Sequence, residues 1–338
     1  MRRILLWLAL VGFLVVLVTR FAELERIVSV VRSAHIAYIL LGALLQLAFV
    51  ANQAAFYASV SRALGRPLSV RVLLLPAAAY NFAVIAVPSG NVSGAMLMSA
   101  AAVRAGLDSV EAALMNVIYY IFDYGAFLLM LGVGLVYLHV FHDLQTAELV
   151  ASAILLAGVL LALALLAAAV VWPERACALL DRLCSPIVRR LRRFRRLEGI
   201  PENWAAAVAQ SLRAAALALR RYPTRMVVPA VHALLVEGIT VLTLYIVFLA
   251  FGQTVSFGVL MAGYAMGMLF MIVSVTPQGI GFVEGAMVLV FSSLGVEREV
   301  AAVVALVYRG LTLWLPFVLG FVAFRRVMVA DGTDAAAS

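Results

Sequence analysis

Val275-Thr276-Pro277-Gln278-Gly279-Ile280-Gly281 lies inside an otherwise apolar stretch, residues 256–294, and how the chain passes through it decides the fold. Proline has no backbone donor and glycine leaves the backbone free. A helix entering this segment must therefore stop, and another must restart, within the membrane or near its surface. The same punctuation occurs upstream, where Pro88-Ser89-Gly90 interrupts the apolar stretch 70–104. Uninterrupted apolar runs at 4–19, 36–58, 110–138, 149–171, 226–251 and 300–324 frame these two breaks. A helix needs about 20 apolar residues to cross the hydrocarbon and satisfies its own backbone there, so the six runs read as full crossings.

Composition agrees. Of 338 residues, 66% are hydrophobic and 12% charged. Water-soluble domains run about 45–50% apolar and about 25% charged, so a soluble globular protein is excluded. The net charge is +8, and all 25 basic residues are arginines. They fall in the gaps between apolar runs, as the positive-inside rule requires, with no nucleic-acid-binding module around them; nucleic acid is not an expected partner. Cys177 and Cys184 form no CxxC and have no nearby histidine, which reads as two free thiols. Met1-Arg2-Arg3 and the apolar run to Val18 lack a small-residue cleavage site and are expected to be a retained first span.

Arginine counting sets the expected topology. Segment 173–225 carries twelve arginines and reads as a cytoplasmic linker, with an interfacial helix from Trp204 to Arg221. Residues 59–71 and the C-terminus, with Arg325 and Arg326, belong on the same side, while 139–148 has no arginine and reads as outside. The outer stretch 20–35 runs against this, with Arg20, Arg26 and Arg32 partly balanced by Glu23 and Glu25. The assignments hold together if 70–104 is a re-entrant hairpin opening to the cytoplasm and 256–294 one opening outward, with both termini cytoplasmic.

The two hairpins also match residue by residue. Pro88 and Pro277 are 189 positions apart, as are Gly90 and Gly279, Gly106 and Gly295, and Tyr119 and Tyr308. The expected fold is thus an all-α polytopic membrane protein: one transmembrane domain, 1–338, with about six full helices and two re-entrant hairpins in an inverted repeat. Repeat 1 covers about 70–138 and repeat 2 about 256–324, a plan recurring among secondary transporters. Two unrelated Pro-Gly kinks are the plainer alternative.

A helix restarting inside the membrane presents free N–H groups and the positive end of its dipole, which attract anions. Ser89, Asn91 and Ser93 are capping residue types where the second arm of the first hairpin would begin; Thr276 and Gln278 flank Pro277, with Gly279 and Gly281 allowing close approach. Converging arm ends would form a polar, anion-accepting cavity. The alternative is that these glycines serve helix packing, as the GxxxG pair Gly263 and Gly267 does. Asp123, Glu237, Glu284 and Arg309 fall within apolar runs, where a charge costs about 2.5–3.5 kcal/mol on insertion scales. The simplest compensation is a Glu284–Arg309 ion pair with Asp123 near the same interface, either functional or purely structural. At the 189-residue spacing Ala95, Tyr120 and Thr312 stand opposite Glu284, Arg309 and Asp123, so the scaffold repeats while the charges do not. His232 and Glu237, five residues apart, share no helix face and read as core polar groups rather than a proton relay. The run from Arg189 to Arg196 reads as a topology signal, with binding of anionic headgroups as the alternative. Walker A, GxSxG, HExxH and Cys/His-cluster patterns are missing, so an enzyme, a metal site and a cofactor are not expected.

The segment 275–284, followed by Leu294-Gly295-Val296 and Arg309, together with Pro88-Ser89-Gly90, Gly94, Arg104-Ala105-Gly106 and Asp123, resembles the flippase-like family typified by the transmembrane region of bacterial phosphatidylglycerol lysyltransferases. Most of the chain is covered. Members carry an arginine near position 120, where this chain has Tyr120. The resemblance implies a flippase moving a phospholipid or lipid-linked headgroup, anionic or aminoacylated, between leaflets of the bacterial cytoplasmic (inner) membrane. The chain ends at Ser338 without the transferase domain of the fused members, so a separate lipid-modifying enzyme is the expected partner. Pro88, Ser89, Gly90, Asn91, Ser93, Asp123, Pro277, Gln278, Gly279, Gly281, Glu284 and Arg309 are the expected substrate-binding residues. Two other readings stay open: a small-solute or ion transporter on the same repeat, and a non-transporting scaffold acting through the arginine-rich linker. Side accessibility tests the topology: with Cys177 and Cys184 removed, a cysteine at position 143 should label from outside and one at 106 from inside.

Overall fold

The computed structural model describes residues 34–86, 91–141, 217–274 and 276–337, with scattered positions over 157–182 and at 214 and 215. The expected crossing at 4–19, residues Pro88, Ser89 and Gly90, and most of 149–171 and of the 173–225 linker lie outside them. All regular structure among the described residues is helical. Helix α1 is Ile36–Ala63, α2 Val70–Ala86, α3 Val92–Arg104 and α4 Ser109–Phe141. After a 3-10 turn at Pro223–Met226 come α5, Val227–Ala250, α6, Phe257–Val273, and α7, Phe282–Ser293. Helix α8, Arg298–Arg309, runs through a π segment, Gly310–Trp314, into α9, Leu315–Ala337.

Four helical stretches among the described residues are long and apolar enough to cross a membrane: Ile36–Ala63, Ser109–Gly134, Pro223–Ala250 and Arg298–Val327. They coincide with four of the six expected crossings. The interrupted regions are helical hairpins. Helices α2 and α6, of 17 residues each, rise about 26 Å, and α3 and α7, of 13 and 12 residues, about 18–20 Å, all less than the roughly 30 Å hydrocarbon thickness.

The corners of the chain are built twice. Helix α1 closes at Gly65 (φ 84°), whose N–H donates to the Arg62 carbonyl while Arg66 N–H reaches Ser61; α5 closes at Gly252 (φ 68°) through the corresponding bonds from Gly252 to Leu249 and from Gln253 to Phe248. Glycine is needed at both because the backbone turns left-handed there. The Ser69 and Ser256 hydroxyls then accept from Val72 and Val259 N–H at the starts of α2 and α6. These matches are 187 positions apart, whereas Gly106 and Gly295, closing α3 and α7 with equivalent bonds, are 189 apart. The two added residues fall between those corners, and the correspondence reaches upstream of residue 70 to α1 and α5.

The chain divides into two compact units, one of Leu45–Val241 with Leu313–Ser338 and one of Met1–Leu44 with Leu242–Thr312, described here over their resolved helices. In the first, Phe56, Tyr57, Leu73, Met98, Met115 and Ile118 are fully buried and Tyr119 nearly so. Helix α2 lies against α9, with the Phe82 ring 5.1–5.4 Å from the rings of Phe317, Phe321 and Phe324. In the second, α6 and α7 run antiparallel. The GxxxG glycines do serve packing: the Phe291 ring occupies the space over Gly263, and Met287 and Val283 lie over Gly267.

Helices α2 and α9 meet backbone to glycine at Gly320, where an added Cβ would sit 2.6 Å from the Ala78 carbonyl oxygen and 2.8 Å from the Phe82 nitrogen. Backbone cannot swing away as a side chain can. Gly320→Val should therefore separate α2 from α9 and cost about 1–3 kcal/mol, the range for overpacking, read as a lower melting temperature in detergent.

Candidate functional site

The break between α6 and α7 is held by side chains. Thr276 Oγ1 donates to the Ile280 carbonyl at 3.0 Å and lies 2.8 Å from Ser274 Oγ. Pro277–Gly279 forms one 3-10 turn, in which Gln278 adopts a left-handed backbone (φ 53°). Gly279 is buried at φ 70°, and a Cβ there would meet Val283 Cγ2 at 2.5 Å and the Met271 backbone at 3.0 Å, so no larger residue fits. Gly281 (φ 87°) precedes α7, and its N–H donates to Glu284 Oε2 at 2.7 Å. Gly281 has no side chain to reciprocate, so half of a capping box forms.

Arg309, the last residue of α8, completes this site. Its Nε donates to Glu284 Oε1 at 2.9 Å and its Nη2 to the Gln278 carbonyl at 2.7 Å. The two charged side chains are 8% and 16% exposed. A carboxylate thus bridges a guanidinium and a helix N-terminus, while the guanidinium also satisfies a carbonyl that the break has left without a helical partner. Such charge-assisted bonds are roughly twice as strong as neutral ones and gain further away from water. The sequence led us to expect a free arm N-terminus awaiting an anion; at α7 the protein's own Glu284 fills that place. The π segment begins at the next residue, Gly310, a distortion that often marks functional sites.

A second polar cluster lies in the other unit, along α3 and α4. A groove of about 780 Å³ is lined by Asn91, Ser99, Asn116, Tyr120 and Tyr124 among apolar residues. Asn116, 5% exposed, donates to Ser99 Oγ at 2.8 Å and accepts from Tyr57 Oη at 3.0 Å. Tyr57 stacks on Tyr119 at 4.1 Å; Gln53 Nε2 donates to Tyr119 Oη at 3.3 Å and accepts from Asn81 at 3.1 Å. Tyr120 Oη donates to the Asn91 carbonyl at 3.1 Å and lies 3.1 Å from Tyr80 Oη.

Of the residues singled out in the sequence, Pro277, Gln278, Gly279, Gly281, Glu284 and Arg309 converge at the first cluster. Asn91 and Ser93 take other roles than the expected helix capping. Asn91 sits at the α3 N-terminus with a left-handed backbone (φ 71°) and no side-chain cap bond, its Nδ2 donating to Tyr124 Oη at 3.4 Å. Ser93 Oγ turns back to the Ala83 carbonyl at 2.9 Å, tying α3 to α2, because the antiparallel arm offers a nearer acceptor than the helix end. Asp123 is half-buried on α4, one helical turn beyond Tyr119 and Tyr120. His232 Nδ1 lies 2.6 Å from Asn52 Oδ1, and Asn52 Nδ2 donates to the His232 carbonyl, a half-buried hydrogen-bonded pair joining α5 to α1. Sequence reasoning passed over Gln53, Asn81, Asn116 and Tyr57. Their signal was uncharged polar residues within apolar runs, which a search for ionisable groups does not catch.

Two comparisons with known proteins bear on the chain. Residues 4–320 match the model of the lysylphosphatidylglycerol synthase TM region. A UPF0104 membrane protein of Methanocaldococcus jannaschii is 35% identical over 83 residues, 25% of this chain and 25% of that protein. The chain matches about a quarter of that relative's length.

Removing one partner of a buried ion pair strands the other's charge and typically costs about 3–5 kcal/mol. Arg309→Met and Glu284→Ala should each destabilise the protein by that order in thermal unfolding, and the double variant should lose less than the sum. Strictly additive losses would show that the two residues are not coupled.

Proposed function

Because the chain belongs to the lysylphosphatidylglycerol synthase TM-region family, we propose that it is a flippase, moving a phospholipid headgroup, anionic or aminoacylated, between membrane leaflets. The observation that carries this reading is Arg309, a guanidinium held almost out of water between Glu284 and the Gln278 carbonyl. A buried cation is costly unless an anion stays with it. Glu284 is that anion at rest. A headgroup phosphate offers the same acceptor geometry to a guanidinium, so it can take the place of Glu284, displaced or protonated, without leaving Arg309 unpaired.

The short helices support the rest of the reading. Arms of about 18–26 Å suit hairpins that enter the membrane and turn back, α2–α3 opening to the arginine-rich side and α6–α7 to the other, related as inverted repeats. The duplicated corners fit such a repeat. The groove on α3 and α4, at about 780 Å³, is within the 300–1,000 Å³ range of small-ligand sites, and its mostly apolar lining carries a few polar groups, Asn91, Ser99 and Asn116 among them, that can meet a headgroup. In this reading the protein sits in the bacterial inner membrane with cytoplasmic termini and receives lipid made by a separate enzyme.

Liposomes carrying a fluorophore on the headgroup of phosphatidylglycerol test the proposal. With wild-type protein a membrane-impermeant reductant should bleach the inner-leaflet pool as well as the outer. Glu284→Gln and Arg309→Gln, confirmed folded by size-exclusion chromatography, should leave the inner pool protected. Equal bleaching by wild type and variants would overturn the mechanism.

A further inference from the structure

Apart from the clusters above, a smaller cavity of about 420 Å³ lies where α1 ends and α5 begins, lined by Ser59, Arg62, Ala63, Arg225 and Val228. Arg62 is in the last turn of α1 and Arg225 in the 3-10 turn before α5. Two exposed guanidiniums therefore line one cavity, and among the described residues neither has a carboxylate partner. Nearby Arg66, by contrast, is paired, donating to Glu111 Oε1 at 3.1 Å and to the Gly106 carbonyl at 2.6 Å. Like charges sharing a cavity repel unless a counter-anion sits between them.

The surroundings say which anion. The Arg225 guanidinium lies 4.6 Å from the centre of the Tyr222 ring, a cation–π contact that holds it in place. Tyrosine with arginine at the end of a membrane helix marks headgroup depth. Just beyond, Val227, Val228 and Val231 are exposed on α5 as lipid-facing apolar surface. The cavity therefore joins a doubly cationic recess to a greasy edge. A phosphate fits the recess by forked hydrogen bonding, and only a phosphate attached to acyl chains also covers the edge.

We infer that the Arg62–Arg225 cavity is a binding site for the phosphate headgroup of an anionic phospholipid, separate from Arg309 and Glu284. The site holds a lipid at the arginine-bearing end of α1 and α5 and does not depend on the translocation reading. A soluble phosphate ester shares the headgroup chemistry but not the acyl chains, and the test separates the two.

Full-length protein in neutral detergent is titrated in parallel with phosphatidylglycerol and with glycerol 3-phosphate, and bound species are counted by native mass spectrometry. The titration is repeated in an Arg309→Gln background, so that lipid held at the proposed translocation site is not counted. A saturable phosphatidylglycerol component is expected, weakened about tenfold by Arg62→Gln or Arg225→Gln, the loss expected for one charge-assisted contact, and unchanged by Arg66→Gln. Circular dichroism confirms the fold of each variant. Equal lipid binding by wild type and both single variants would overturn the site. Glycerol 3-phosphate binding as tightly as the lipid would overturn the lipid assignment.

Discussion

Inside hydrocarbon every backbone N–H and C=O must find a partner within the protein, and a broken helix releases several of each. The described structure is organised around meeting that demand at two breaks. At one, Arg309 donates to the Gln278 carbonyl, Glu284 accepts from Gly281 and Thr276 donates to Ile280. At the other, Tyr120 donates to the Asn91 carbonyl and Ser93 to Ala83. Each of these side chains bonds to a backbone group beside a break, where the regular helical ladder stops.

The two closures use one position in two chemistries. Tyr120 and Arg309 are 189 residues apart, and each donates to the carbonyl of a left-handed residue, Asn91 or Gln278. A phenol closes its break with a neutral bond and needs nothing more. A guanidinium closes its break with a positive charge and so requires an anion, which Glu284 supplies. Of the two closures only the one at Gln278 is made by a charged side chain, which is why the proposed exchange of one anion for another is placed there.

The paired short helices α6 and α7, the glycines at 279 and 281 and the Glu284–Arg309 pair were legible in the sequence because each rests on a local rule. Proline and glycine end helices wherever they occur, and an intramembrane charge demands a partner of opposite sign. The roles of Asn91 and Ser93 were not legible. Both are good caps in isolation, but Ser93 found the Ala83 carbonyl on the neighbouring arm and Asn91 turned left-handed. Asn116 and Gln53 were invisible for a related reason: an uncharged polar residue in an apolar run has no local signature until its partners on other helices are known.

From its sequence alone the chain is a helical membrane protein with two interrupted apolar stretches and an expected Glu284–Arg309 pair, because hydrophobic length, helix-breaking residues and the cost of buried charge act along the chain. Which acceptors the freed side chains reach, that Glu284 itself occupies the N-terminus of α7, and that Arg62 and Arg225 share a cavity were decided only by packing. Hydrogen bonds and cavities join residues from separate helices, and only folding brings those within reach of one another.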